Sequence, residues 1–255
     1  MAINKDNTNR RKFLINSGAI LGGVFATTLI KPFNAVIFAA EEPKKALPWY
    51  GVGIDIEKCI GCGRCANACK NENDVPREPF FFRNWVEQYT IKNDGSIKVE
   101  SPNGGIDGFK QSVPDEEIFK TFFVPKMCNH CAKSPCEEVC PVGATFRSPE
   151  GVVMIDVKYC IGCRYCIQAC PYGCRYMHPV KNVADKCTLC YHRLKKGLDP
   201  ACMANCPTGA RIYGDLHDKK SALVKFLKDH NCMVLKPQLN TRPKLYYNAL
   251  AQEVR

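Results

Sequence analysis

The chain has 255 residues, with 36 Lys and Arg against 25 Asp and Glu, a formal net charge of +11, and 18 cysteines. That length holds one or two domains. Beyond residue 30 no run reaches membrane-spanning length, and no phosphate loop, dinucleotide fingerprint or nucleophile–base pair is present. These absences argue against a polytopic membrane protein and give no sign of a nucleotide-binding or hydrolytic enzyme.

The first segment is Asn9-Arg10-Arg11-Lys12-Phe13-Leu14, which matches a twin-arginine export motif. A moderately apolar stretch follows from Phe13 to Ile30, and Lys31-Pro32 breaks it. Gly18, Gly22 and Gly23 and the clustered positive charge favour an export signal over a transmembrane helix. Residues 1–40 are therefore expected to form the signal segment. Ala39 and Ala40 are small, but Ile37 and Phe38 spoil an Ala-x-Ala site, which leaves retention as an N-terminal anchor open.

A strand over Val52–Ile56 leads into Cys59, Cys62, Cys65 and Cys69, and a short helix is expected over Ala66–Asn71. Asn84–Glu100 reads as a hairpin around Asp94-Gly95, an insert without counterpart in the second half. Cys128, Cys131, Cys136 and Cys140 follow. Ser148–Gly151 then turns a second hairpin into a strand over Val152–Val157. Next come Cys160, Cys163, Cys166 and Cys170, with a short helix over Ile167–Ala169, and then Cys187, Cys190, Cys202 and Cys206. Asp218–His230 reads as a helix with Ala222, Leu223, Phe226 and Leu227 on its packed face. From Pro243 onward the sequence reads as a tail.

The cysteine spacing names the chemistry. Ile54–Cys69 reads IDIEKCIGCGRCANAC, and Ile155–Pro171 reads IDVKYCIGCRYCIQACP. C-x2-C-x2-C-x3-C is the bacterial ferredoxin run for cubane clusters, in which the fourth cysteine serves the neighbouring cluster. Variant arrays, C-x2-C-x4-C-x3-C-P from Cys128 and C-x2-C-x11-C-x3-C-P from Cys187, alternate with these two, and end in CPVGA and CPTGA. The order implies a duplication of residues 51–150 in residues 151–255. Zinc uses separated pairs around one ion, and four cysteines within eleven residues crowd it. A disulfide framework suits an exported protein but does not explain the triplets or the Cys-Pro endings. Since every ligand position is cysteine, four [4Fe–4S] clusters are expected rather than three-iron ones.

The charge then has an explanation other than nucleic acid. Residues 1–40 carry five basic side chains against Asp6, a net of +4, which leaves +7 for the remainder. Each oxidised cubane with its thiolates carries about −2, so four bring the holoprotein to about −1. Arg64, Lys70, Arg164, Arg175, Lys186 and Arg211, all within a few residues of ligands, read as counter-charges. Lys195-Lys196 and Lys219-Lys220 fit an ordinary solvated face. His130 reads as a hydrogen-bonding neighbour of a cluster, because no cysteine is missing from its motif. Trp49, Trp85, Tyr165 and Tyr172 read as packing, and Cys174 as an inert buried thiol rather than a tuning group. Cys232 also falls outside the arrays.

The motifs CxxCxxCxxxCK, CNHCxxxxCxxxCP, CIGCxxCxxxCPY and CxxCx11CxxxCP, in this order over residues 50–215, resemble the four-cluster electron-transfer subunits of respiratory complexes. Among these are the iron–sulfur subunits of dimethyl sulfoxide, polysulfide and tetrathionate reductases, of nitrite-linked complexes and of the sulfite-reduction-associated transmembrane complex. The resemblance implies an α+β fold of two nested bacterial-ferredoxin-like modules, with cluster-binding loops and the β-hairpin insert. One module would comprise residues 41–120 and 180–255, the other residues 121–179. It further implies four quartets: Cys59, Cys62 and Cys65 with Cys206; Cys187, Cys190 and Cys202 with Cys69; Cys128, Cys131 and Cys136 with Cys170; and Cys160, Cys163 and Cys166 with Cys140. Spacing alone supports crossing between motifs without choosing the pairs.

The implied role is that of a non-catalytic subunit on the periplasmic or outer face of the cytoplasmic membrane. It would relay electrons between an integral membrane quinone-reactive subunit and a molybdopterin catalytic subunit, a cytochrome or another redox partner. A free soluble polyferredoxin and a zinc-stabilised interaction module are the alternatives. The export motif, the hairpin insert and the long C-terminal segment weigh against the free carrier.

Overall fold

The computed structural model describes residues 47–77 and 81–254, so the twin-arginine motif and the rest of the signal segment, residues 1–40, lie outside the described residues. β1 (Tyr50–Asp55) alternates Gly with Val and Ile. Val52 and Ile54 are buried on one face. On the other face the glycines admit a close neighbour: a Cβ on Gly53 would stand 2.7 Å from the Phe226 ring. After the first cysteine loop comes α1 (Arg64–Asn73), which starts earlier than expected and places Cys65 and Cys69 one turn apart.

β2 (Asn84–Lys92) and β3 (Ile97–Glu100) pair antiparallel across Asp94-Gly95. β2 also pairs along its length with β4 (Ile118–Met127), from Asn84↔Met127 to Lys92↔Ile118. This strand is not among those expected from the sequence, and Pro125 argues against one there. In the sheet order β3-β2-β4 it lies on an edge, where a missing N–H is tolerated. The expected module boundary between residues 120 and 121 falls inside β4.

The second half is built of small pieces. α2 (Pro135–Glu138) precedes the hairpin of β5 (Thr145–Arg147) and β6 (Val153–Ile155), which closes over Ser148–Gly151 as expected. α3 (Tyr165–Gln168) is a single turn after the third array, and β7 (Arg175–Met177) pairs antiparallel with β8 (Ala184–Lys186). α4 (Tyr191–Leu194) and α5 (Ala201–Ala204) lie between ligands of the fourth array, and β9 (Arg211–Asp215) follows it.

α6 (Ala222–Asp229) starts four residues later than the sequence suggests. Ser221 caps it, its Oγ accepting the Val224 amide at 3.2 Å, while Asp218 holds a separate turn by accepting the Lys220 amide. Leu223 and Phe226 are buried as expected; Ala222 is exposed and Leu227 half-buried.

The C-terminal segment departs from the sequence expectation. From Pro243 there is no tail: β10 (Leu245–Asn248) pairs parallel with β1, giving the order β10-β1-β9. Leu245 and Tyr247 are fully buried, and the Tyr247 hydroxyl donates to the Pro125 carbonyl at 3.1 Å. LYYN is too short to reveal its partner, since its apolar surface is satisfied only by the distant β1. The described residues form one compact unit with mixed helix and strand and four small sheets. Its core mixes Val52, Ile54, Val86, Val124, Leu245 and Tyr247 with Cys65, Cys128, Cys187 and Cys202.

Candidate iron–sulfur centres

The four cysteine loops share one backbone device. The residue before the second cysteine of each array is left-handed: Gly61 (φ 70°), His130 (41°), Gly162 (70°) and Leu189 (52°). For His and Leu this conformation costs about 1–2 kcal/mol, so its recurrence marks one turn used four times. The turn aims that residue's amide at the first cysteine. His130 N–H donates to Cys128 Sγ at 3.5 Å and Leu189 N–H to Cys187 Sγ at 3.3 Å, and the Gly61 amide bonds Cys59. The following helix starts from another left-handed residue, Gly63 (φ 65°) in the first array and Arg164 (φ 68°) in the third. A Cβ on Gly63 would lie 2.1 Å from the Gly105 carbonyl oxygen, so the first array reads CGRC where the third reads CRYC.

The last cysteines of the second, third and fourth arrays share a second device. The amides of Gly143, Gly173 and Gly209 donate to the carbonyls of Cys140, Cys170 and Cys206 at 3.3, 3.4 and 3.4 Å. This turn folds later amides toward sulfur, as Thr145 N–H to Cys140 Sγ at 3.4 Å shows. Burial pushes Cys140 up, but the amides of Thr145, Val142 and Ala144 bring it below the usual thiol range. For Cys206 burial is likewise outweighed by the Thr208 hydroxyl and nearby amides. The Cys174 thiol, with the Cys174 and Tyr172 amides, holds Cys170 down at about 6 against burial. Elsewhere burial dominates: Cys59 rises to about 11, and Cys69, Cys131, Cys187 and Cys202 to about 12. Because metals bind thiolates, loading these sites must release protons.

The sulfurs gather around voids. Cys59, Cys62, Cys65 and Cys206 line one small cavity, and Cys69, Cys187, Cys190 and Cys202 line another. Asn73 Nδ2 stands 3.6 Å from both Cys69 Sγ and Cys190 Sγ. In the other half, Cys131 is raised by burial and then by Cys128, Cys136 and Cys170, and Cys166 by burial and then by Cys160 and Cys140. Among the described residues no three His, Cys, Asp or Glu side chains converge on a point for one metal ion. Thiols ringing a void suit a multi-atom cluster better than a tetrahedral zinc.

Charge makes the same demand. Arg175, Lys186 and Arg211 are all buried, and among the described residues none forms an ion pair with a carboxylate. Buried unpaired cations are costly. Here sulfur is the compensation: Arg175 Nη2 donates to Cys136 Sγ at 3.0 Å. Burial disfavours the charge of Arg211, yet Cys65, Cys202 and Cys59 hold its pKa above the usual value. The residues present fit an anionic cluster, and the expected counter-charge role holds for these three. It does not hold for Arg64 and Arg164, which are exposed at helix starts; Lys70, like Lys186, is buried with its Nζ donating to a carbonyl, that of Pro76, and Cys69 favours its charge against burial.

His130 is buried against the second array. Its Nδ1 accepts the Val153 amide at 3.1 Å, so the remaining proton is on Nε2, and burial with Lys186, Lys244 and Arg175 nearby keeps the ring neutral. Cys174 is buried, its thiol 3.1 Å from the Met127 carbonyl and 3.3 Å from the Tyr172 carbonyl. The sequence hid this because the thiol's orientation depends on β4. Cys232 is half-buried, beside Asp55 rather than any array. Trp49, Trp85 and Tyr172 pack as expected, with Lys244 Nζ 4.2 Å from the Trp49 ring; Tyr165 does not, being 58% exposed.

Residues 58–144 and residues 119–216 each match the 4Fe-4S dicluster domain. Over 252 residues the sequence is 37% identical to the B subunit of tetrathionate reductase of Salmonella typhimurium, covering 97% of this protein and 90% of that one. The protein belongs to this family of [4Fe–4S] iron–sulfur subunits. The B subunit of tetrathionate reductase of Archaeoglobus fulgidus is 44% identical over 197 residues (77% of this protein, 80% of that one). The B subunit of polysulfide reductase of Wolinella succinogenes is 36% identical over 198 residues (77% and 92%). As an iron–sulfur subunit the protein is non-catalytic by itself, which accounts for a sequence rich in ligands without an acid–base or nucleophilic constellation.

Proposed function

We propose that this subunit relays electrons through four [4Fe–4S] clusters between an integral membrane quinone-reactive subunit and a catalytic partner bearing molybdopterin, or a cytochrome. Each cluster, when bound, supplies a one-electron redox centre. The protein's own part is to hold sixteen thiolates, shield them and set their electrostatics. Each cluster takes three cysteines from one array and the fourth from its mate, in the quartets given above. The observation that carries this is the crossed lining of the two cavities, where Cys206 joins Cys59, Cys62 and Cys65 while Cys69 joins Cys187, Cys190 and Cys202. The proximity of Cys170 to Cys131, and of Cys140 to Cys166, supports the other two quartets.

The nested reading, residues 41–120 with 180–255 around residues 121–179, draws support from β1 pairing with both β9 and β10. The relatives favour a fixed subunit over a free soluble polyferredoxin, and reductases of tetrathionate and polysulfide are the first catalytic partners to test. Arg10-Arg11 directs the folded, loaded protein to the outer face of the cytoplasmic membrane. Among the described residues no helix is long and apolar enough to cross a membrane; attachment is through the membrane partner, with the N-terminal segment as a second anchor where it is retained.

Anaerobically purified protein should contain about sixteen irons per molecule. Cys140→Ser should perturb the same resonance as Cys166→Ser and not that of Cys131→Ser; the reverse pairing, or stoichiometric zinc with four irons or fewer, would overturn the assignment. Arg10→Lys with Arg11→Lys should leave loaded protein in the cytoplasm; continued export would remove the localisation.

A further inference from the structure

Three of the buried cations, Arg211, Lys186 and Arg175, each lie near cysteines of two quartets. Arg211 faces Cys59 and Cys65 of one quartet and Cys202 of the next, and is held by Asn84 Oδ1 at 3.3 Å. Lys186 donates from Nζ to the carbonyls of Val153 and Cys187, and acts on both Cys187 and Cys136, which belong to different quartets. Arg175 donates to Cys136 at 3.0 Å and also favours the thiolate of Cys166 in the last quartet. The duplication explains two of them. Arg175 and Arg211 each stand five residues after the final cysteine of a CPxGx sequence. The same position after Cys140 holds Thr145, whose hydroxyl accepts from Arg175 Nη1 at 3.3 Å. Lys186 directly precedes the fourth array, where the second array has Met127.

Resting on the four-cluster reading, we propose that Arg211, Lys186 and Arg175 are positioning charges, one at each of the three junctions between successive clusters, and that each raises the reduction potentials of both its neighbours. One added electron makes a cluster one unit more negative, with no atom transferred, and the donor on the other side of the junction loses that same electron. A cation with no carboxylate of its own favours the reduced state on either side. In a low-dielectric interior its influence falls with distance, so it acts on the adjoining pair rather than on all four clusters. The junctions thus couple the clusters in overlapping pairs: first with second, second with third, third with fourth.

The test uses full-length loaded protein carrying Arg175→Gln, Lys186→Gln or Arg211→Gln. Iron and sulfide are counted first, which separates failure of the four-cluster reading from failure of this one. Each resonance is then titrated potentiometrically, with identities assigned from Cys166→Ser, Cys136→Ser, Cys202→Ser and Cys65→Ser. Arg175→Gln should cut the reduced-to-oxidised ratio at fixed potential about tenfold, or 59 mV for one electron, at the two clusters that include Cys136 and Cys166. Arg211→Gln should do so at the clusters that include Cys65 and Cys202, and Lys186→Gln at those that include Cys202 and Cys136. Lys195→Gln, at a side chain 58% exposed, should shift none. A shift confined to one cluster, or spread equally over four, overturns the proposal. Where a glutamine variant fails to load, Arg175→Lys, Arg211→Lys and Lys186→Arg decide. Full iron with unchanged potentials upholds a charge role, and iron loss in these as well assigns the side chains to shape alone.

Discussion

Removing the C-terminal strand should dismantle the iron–sulfur core although it deletes no ligand. A protein ending at Arg242 loses Leu245 and Tyr247, both essentially without solvent exposure, and the Lys244 carbonyl that accepts the Val52 amide at 2.8 Å. Large-to-small truncation costs about 2–5 kcal/mol for a buried Leu and about 3–5 kcal/mol for a buried aromatic ring. Together they come to roughly 5–10 kcal/mol, comparable to the whole stability of an ordinary domain. Tyr247→Ala alone should cost about 3–5 kcal/mol. Tyr247→Phe should cost about 1 kcal/mol, since it leaves the ring and strands only the Pro125 carbonyl. The assay is anaerobic guanidinium unfolding followed by cluster absorbance and far-ultraviolet circular dichroism, with iron per molecule as a second readout. A truncated protein that keeps full iron and the unfolding midpoint of the intact one would refute the strand assignment and restore the tail.

Cys174→Ala should cost about 1 kcal/mol of stability, because it strips the Met127 carbonyl of a buried donor, with iron content unchanged; an unmoved unfolding midpoint would return Cys174 to an inert role. Gly63→Ala should cost at least about 2 kcal/mol, because left-handed strain adds to a backbone clash, and should loosen the cluster held by Cys62 and Cys65. Gly95→Ala, with φ 81° but nothing within 4 Å of its Cβ, should cost only the strain, about 1 kcal/mol, with iron unaffected; equal effects in unfolding assays would remove the clash from the explanation. Glu150 is pushed up by burial, but Lys195 and Tyr191 bring it down to about 2 from 4.5. A lowered carboxylate pKa contributes stability above 4.5 that is lost as pH falls toward 2. Glu150→Gln should therefore lower the free energy of guanidinium unfolding equally at pH 8 and pH 6, by about 1 kcal/mol once solvent screening of exposed Lys195 is allowed for; a difference between the two pH values would show another group titrating.

The sequence alone determined the cofactor chemistry and the four arrays, because cubane ligation needs thiolates at short fixed intervals that survive in one dimension. It also determined the hairpin around Asp94-Gly95 and the turn at Ser148–Gly151, where local backbone preferences suffice. Tertiary structure alone decided what depends on distant partners. LYYN became a core strand because β1 exposes a parallel edge to it. Pro125 entered a strand because that strand is an edge. Cys174 met the Met127 carbonyl, and Arg175 met Cys136, because β4 and the hairpins fold them inward; Arg64 and Arg164, just as near to cysteines in sequence, point to water. Proximity in sequence fixes which residues can reach a cluster, but only packing fixes which side chains are denied solvent, and burial is what makes a charge or a thiol count.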